Sequence, residues 1–198
     1  MMDKPSYTQP PLQEPREWGA FLNILHDEGV MSYLEIGSMY GRSLWTVAKT
    51  LPKGSRLVAI DNMVDRQDAR DSLEQCIAEL IALGYDAHFI YGDSIEPEII
   101  LRAAALGPYD ALFIDGNHSP EYVLSDWKNY GPMAKVVGFH DIAWNNTWVS
   151  ARNNTPPADG STMGAPEIWK AVKRNRRYKE FKLYAPGNYY GIGVIWNE

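Results

Sequence analysis

The chain has 198 residues and a mass of 22.4 kDa, with 45% hydrophobic and 22% charged residues, which excludes a disordered or low-complexity protein. The lone Cys76 excludes an intramolecular disulfide framework and a cysteine-rich zinc site, and no apolar run approaches the ~20 residues of a bilayer span. A net charge of −6 argues against a general nucleic-acid binder.

The first fifteen residues, MMDKPSYTQPPLQEP, lack the apolar stretch of a signal peptide, so a reducing, cytoplasmic setting without membrane contact is expected. The charge is uneven: from Gly164 onward the chain carries +4, and residues 1–163 carry −10. Residues 1–13 are polar and proline-rich and read as a flexible arm ahead of a single domain over 14–198.

A helix is expected from Pro15, with Trp18, Phe21, Leu22 and Leu25 on one face and Gly29 as its stop. Met31–Ile36 reads as a strand, Arg42–Leu51 as a helix and Arg56–Ile60 as the next strand. Leu73, Ile77, Leu80 and Ile81 mark a helix closed by Gly84. Ala87–Tyr91 is a strand, Pro97–Leu106 a helix, and Ala111–Ile114 a strand apolar on both faces. Ser119 caps a helix striped by Val123, Trp127 and Tyr130, and Lys135–Phe139 is a fifth strand. Residues 142–163 are rich in Asn, Thr, Pro and Gly and read as a long loop or lid. Ile168, Trp169 and Val172 suggest a last helix, and Tyr178–Tyr184 with Tyr189–Trp196 a closing hairpin. This alternation implies an α/β fold around a parallel sheet.

Ligands of such sheets bind beyond the carboxyl ends of the strands. There the sequence places Glu35-Ile36-Gly37-Ser38-Met39-Tyr40-Gly41-Arg42-Ser43, Asp61-Asn62, Gly92-Asp93-Ser94, Asp115-Gly116-Asn117-His118 and His140-Asp141. The first turn is E-x-G-x-x-x-G, not the G-x-G-x-x-G dinucleotide fingerprint. Gly37 would let a ligand approach the backbone, and Gly41 would let the next helix start close to the strand. Asp61 stands where a carboxylate can accept ribose hydroxyls.

In this order YLEIGSMYGRS, VAIDN, YGDS, LFIDGNHSPEYVLSDW and GFHDI resemble the class I S-adenosylmethionine-dependent methyltransferases. More narrowly, residues 30–198 resemble the small-molecule branch called methyltransferase family 24. The resemblance implies a Rossmann-like, mostly parallel seven-stranded sheet with an antiparallel C-terminal hairpin and helices on both faces. It implies that Glu35, Gly37, Ser38, Gly41 and Ser43 hold the methionine end of the cofactor. Asp61 would hold the ribose with Asn62 beside it, and Asp93 and Ser94 would lie at the adenine.

A hydroxyl acceptor can be activated by a base or by a cation. Asp115 and Asp141 would end adjacent strands and could share a hard divalent ion. Relatives bind magnesium with acids at these strand ends, whereas this chain has His140 before Asp141, and an imidazole favours manganese, iron or zinc. Asp115, His140 and Asp141 are therefore a metal or polar cluster, and the presence and identity of an ion stay open at this point. His118, three residues after Asp115, is the candidate base, with metal ligand and structural hydrogen bonder as its other readings. Trp144 and Trp148 could wall an acceptor or equally pack their own loop, Asn145, Asn146 and Asn153 could bond acceptor hydroxyls, and Arg42 reads as helix surface.

The reading is O-methylation of a small-molecule hydroxyl, sugar or catechol-like, with no nucleic-acid partner and a homodimer left open. Its rivals are a non-catalytic or partner-dependent S-adenosylmethionine-binding protein, a nicotinamide oxidoreductase and a nucleic-acid methyltransferase.

Overall fold

The computed structural model describes residues 4–63, 66–143, 164–183 and 190–197. In chain order the elements are α1 (Pro15–Asp27), β1 (Ser32–Ile36), α2 (Arg42–Thr50), β2 (Arg56–Asp61), α3 (Gln67–Ala82), β3 (Asp86–Tyr91) and α4 (Pro97–Leu106). There follow β4 (Tyr109–Ile114), α5 (Pro120–Tyr130), β5 (Ala134–Phe139), α6 (Gly164–Val172), β6 (Tyr178–Phe181) and β7 (Ile192–Trp196). Element boundaries lie within a few residues of the sequence expectations. The loop expected over 142–163 and the hairpin tip lie mostly outside the described residues, and with them Trp144, Asn145, Asn146, Trp148 and Asn153.

One seven-stranded sheet has the order β3-β2-β1-β4-β5-β7-β6. The pairs β3·β2, β2·β1, β1·β4 and β4·β5 are parallel, and β7 runs antiparallel to both β5 and β6. This is the mostly parallel sheet with an antiparallel end that the motifs implied. Its central strands are buried on both faces, which is why they read as continuous apolar runs.

Each face of the sheet has its own core. On one, Phe21 and Trp18 of α1 meet Phe113 of β4 at 5.0 and 5.2 Å between ring centroids, beside Leu44, Leu57 and Leu73. On the other, Trp169 of α6 packs on Phe139 of β5 at 5.6 Å, beside Val123 and Tyr130 of α5. Ser119 does stand at the N-cap of α5, but its hydroxyl makes no cap bond; its amide takes Asn117 Oδ1 at 3.0 Å instead. Among the described residues, no helix is long and apolar enough to cross a membrane.

The N-terminal segment departs from its expectation as a flexible arm. Residues 4–13 lie against the domain: Tyr7 is buried, its ring 5.0 Å from that of Trp45, and the Ser6 carbonyl accepts from Arg42 Nε at 3.1 Å. A lone buried tyrosine in a polar stretch has no periodicity for sequence reasoning to detect. Further on, buried Glu17 of α1 accepts from the amides of Leu183 (2.7 Å) and Gly191 (3.0 Å), tying α1 to the β6–β7 connection.

The edge strand is held to α6 by Glu180, whose carboxylate accepts from Trp169 Nε1 and Lys173 Nζ, each at 2.6 Å, and pairs with Lys182. Burial pushes its pKa up, but these donors outweigh burial and bring it from 4.5 down to about 2. Ionised Glu180 is thus favoured in the folded state. Its contribution is complete above pH 4.5 and disappears as the pH falls through about 2. Glu180→Gln should therefore cost roughly 2–3 kcal/mol at pH 7 and close to nothing near pH 2. Urea unfolding at several pH values measures this; a penalty independent of pH would contradict it.

Candidate active site

The polar strand ends converge on one cavity of about 610 Å³. Gly37, Ser38 and Ser43 from the β1–α2 region line it with Asp61, Asn62, Asp93 and Ser94. Asp115, His118, His140 and Asp141 line it from the other strands. Of the cofactor, base and cluster candidates among the described residues, Glu35 and Gly41 alone do not.

The two exceptions have other work. Glu35 is fully buried beneath the turn and accepts from Tyr33 Oη at 2.8 Å and Ser43 Oγ at 2.7 Å. Burial outweighs these donors and raises its pKa to about 7. Glu35 is therefore placed to buttress the loop from within rather than to face a ligand. Gly41 has φ +79°, and a Cβ there would lie 3.1 Å from Cys76 Cβ and Leu73 Cδ1. The crowding comes from α3, not from the strand.

Gly37 also differs from expectation. With φ +89°, a Cβ would lie 2.1 Å from the Asp115 carbonyl oxygen. What approaches this glycine is the backbone of the β4–α5 loop. The missing side chain lets two site loops nest directly against each other.

Asp61 accepts from the amides of Met39 (2.7 Å) and Met63 (2.9 Å), fixing its carboxylate at the cavity wall. Asp93 accepts from Tyr122 Oη at 2.9 Å, and Tyr130 Oη donates to the Ser94 carbonyl at 2.7 Å.

The last two strand ends form a chain of alternating acids and imidazoles. His118 Nδ1 lies 3.0 Å from Asp141 Oδ2. His140 Nδ1 lies 3.3 Å from Asp141 Oδ1 and 2.9 Å from Asp115 Oδ1. Asp115 Oδ2 accepts from Gln13 Nε2 at 2.5 Å. His140 and Asp141 are buried, and His140 stacks on Tyr190 at 5.5 Å. Burial alone would lower the His140 pKa; the carboxylates of Asp115 and Asp141 outweigh it and raise the value to about 9. Burial raises the Asp141 pKa, against the pull of the two histidines. Asp141 also has φ +60°, a left-handed conformation uncommon outside glycine.

The donor set suits a divalent cation. One ligand atom each from Asp115, His140 and Asp141 lie within 4.8 Å of one another. Asp141 Oδ1 and both His140 nitrogens are buried without a well-formed hydrogen bond among the described residues. Two carboxylates and an imidazole favour manganese, iron or zinc over magnesium.

Sequence reasoning missed Gln13. It lines the cavity with Pro11 and Leu12, anchors on Asp115, and keeps its buried Oε1 unpartnered among the described residues. Its contact spans 102 residues of sequence, and nothing local announces it.

Residues 34–142 match a family described as a methyltransferase domain. The Tapetum-specific methyltransferase 1 of Arabidopsis thaliana is 27% identical over 124 residues, 62% of this chain and 52% of that protein. This chain thus spans about half the length of that relative. The O-methyltransferase from Bacillus cereus, solved in complex with SAH, is similar with TM-score 0.66 at 17% identity, over 94% of this chain and 84% of that one. TomG from Streptomyces achromogenes, an O-methyltransferase involved in tomaymycin synthesis and solved with SAM, is similar with TM-score 0.65 at 19% identity, over 94% and 81%. At these identities the structural likeness shows the fold.

Gly37→Ala forces a positive φ on alanine and a collision with backbone that cannot swing aside. We expect a loss of roughly 2–4 kcal/mol in urea unfolding. Gly54→Ala serves as control: φ there is +82°, but nothing lies within 4 Å of the added carbon. Equal losses in the two variants would show that the loop-to-loop contact matters less than φ alone.

Proposed function

The chain belongs to the methyltransferase-domain family, and on that premise we propose that it transfers a methyl group from S-adenosylmethionine to a hydroxyl of a small molecule, sugar or catechol-like. The observation that carries this reading is the layout of the cavity. The sheet order β3-β2-β1-β4-β5 sets out Asp93, Asp61, Gly37, Asp115 and Asp141 in one spatial row. With strands ~4.8 Å apart, the row runs roughly 19 Å from end to end.

In this reading Asp93 and Ser94 take the adenine, Asp61 and Asn62 the ribose, and Gly37, Ser38 and Ser43 the methionine end. When bound, the cofactor supplies a methyl group already activated on its sulfonium. The residues must then orient the acceptor and remove its proton. His118 is the base. Its Nδ1–H donates to Asp141 Oδ2, which sets the tautomer and leaves Nε2 as the basic nitrogen. Asp115, His140 and Asp141 would hold a divalent cation, which when bound would lower the pKa of the acceptor hydroxyl. Asp141 thus has two tasks on two oxygens: Oδ2 orients the base and Oδ1 faces the cluster.

Calorimetric titration with S-adenosylhomocysteine tests the cofactor. Wild-type protein should bind it, and Asp61→Ala should bind at least ~10-fold more weakly, the scale of losing charge-assisted hydrogen bonds. No binding by the wild type, with or without manganese, would sink the reading.

His118→Ala should keep S-adenosylhomocysteine affinity within about twofold of wild type. It should lower turnover by ~10²–10⁴ in a screen of catechol and sugar acceptors read by S-adenosylhomocysteine release. Unchanged turnover would remove His118 as the base. Manganese titration followed by electron paramagnetic resonance tests the cluster, and Asp141→Ala should abolish binding. A wild type that leaves all manganese free, and zinc free in a parallel calorimetric titration, would overturn the cation reading of the cluster.

A further inference from the structure

The D-G-x-H-x-x-x-x-V-x-x-D run ends in Asp126, to which the site described above gives no task. Asp126 lies on α5 with Tyr122 and Tyr130, at intervals of four residues and hence on one helix face. All three act on two consecutive residues of the β3–α4 loop. Tyr122 Oη donates to Asp93 Oδ2 at 2.9 Å. Tyr130 Oη donates to the Ser94 carbonyl at 2.7 Å. Asp126 is fully buried, neither of its oxygens has a well-formed hydrogen bond among the described residues, and the Ser94 hydroxyl is the polar group that acts on it. Burial raises its pKa to about 7, against the pull of Ser94 and with Asp93 repelling it.

A buried acid and two phenols aimed at one short loop exceed what packing requires. Val123, Trp127 and the ring of Tyr130 already supply the apolar side of α5, which leaves the Tyr130 and Tyr122 hydroxyls and the Asp126 carboxyl beyond what that packing needs. We infer that helix α5 grips the adenine-side loop through Tyr122, Asp126 and Tyr130, and that Tyr122 is the positioning residue that sets the preference for a 6-aminopurine cofactor. The inference rests on the cofactor reading above. Its chemistry is that of donor and acceptor. A 6-aminopurine offers an exocyclic N–H, which the Asp93 carboxylate can accept. A 6-oxopurine offers an oxygen at the same place, and two acceptors repel. Tyr122 donates to one Asp93 oxygen, so it holds the carboxylate in one orientation and leaves it an acceptor towards the cavity that both residues line. Without the phenol hydroxyl, Asp93 is held only by the weak contact from the Ile95 amide at 3.3 Å. It can then turn away, and discrimination falls.

Calorimetry of wild type, Tyr122→Phe and Asp126→Asn with S-adenosylhomocysteine and with S-inosylhomocysteine, its 6-oxo counterpart, tests this. Wild type should prefer the adenosyl compound. Tyr122→Phe should weaken the adenosyl compound about fivefold, the effect of one hydrogen bond, and leave the inosyl compound near its wild-type affinity. Asp126→Asn should shift the ratio in the same direction. Unfolding midpoints of the unliganded variants separate this from destabilisation, and Tyr122→Phe removes one oxygen from a residue that is only partly buried. Equal weakening of both compounds, or of neither, overturns the positioning role while the cofactor reading stands. Failure of the wild type to bind S-adenosylhomocysteine overturns the cofactor reading and this inference with it.

Discussion

The site depends on the direct contact of two turns, at Gly37 and at Asp115. The space a Cβ would need at Gly37 is occupied by the Asp115 carbonyl, so the turn after β1 and the loop after β4 share one backbone surface. The same principle runs along the sheet edge. The Gly37 amide bonds to the Ile60 carbonyl at 2.9 Å, Asp115 to Ile36 at 2.9 Å, Gly92 to Asp61 at 3.1 Å and His140 to Ile114 at 3.1 Å. Each loop hangs by its first residue from a carbonyl at or next to the end of a neighbouring strand. The sheet register therefore extends one step into the site, and the side chains that follow inherit the precision of the strands.

That precision brings acids together in a place that does not favour them. Asp115 and Asp141 follow the ends of adjacent strands, Asp141 buried and Asp115 partly so. Two carboxylates held this way need a positive charge between them. The carboxylates of Asp115 and Asp141 raise the His140 pKa to about 9 despite its burial, which favours the imidazolium between them. A divalent ion would answer the same need. A histidine at position 140 brings the two acids a group that can carry positive charge, which a third carboxylate there could not do.

Much of this was legible in the sequence because it is local. Apolar runs of strand length, helix periodicity in α1 and α5, and an acid or glycine turn after each strand identified the sheet and the edge where ligands bind. Most residues that faced away from expectation have partners distant in sequence, and Glu35 is the exception. Glu35 sits in the cofactor motif, but its bonds run to Tyr33 and Ser43 beneath the turn. Gly41 makes room for Cys76 and Leu73 of α3. Gln13 and Glu17 belong to a stretch whose polarity suggests solvent, and both are buried on partners more than a hundred residues away. Periodicity reports which face of an element is apolar. It carries no signal for a single polar side chain that crosses the fold to one acceptor.

The terminal hairpin shows how such distant contacts shape the chemistry. Asp141 meets His118 from a left-handed backbone conformation, which a non-glycine residue holds when its surroundings enforce it. The enforcement comes from the next two amides: Ile142 bonds to the Gly191 carbonyl at 3.3 Å and Ala143 to that of Tyr190 at 2.9 Å. Gly191 is fixed in turn by its own amide, which donates to buried Glu17 of α1 at 3.0 Å. A line of contacts thus runs from the first helix through the start of the last strand to the residue paired with His118. The antiparallel strand pair lies at the far end of the sheet from Asp93. Its contribution is to hold Asp141 in the left-handed conformation in which one carboxylate oxygen lies against His118 and the other against His140.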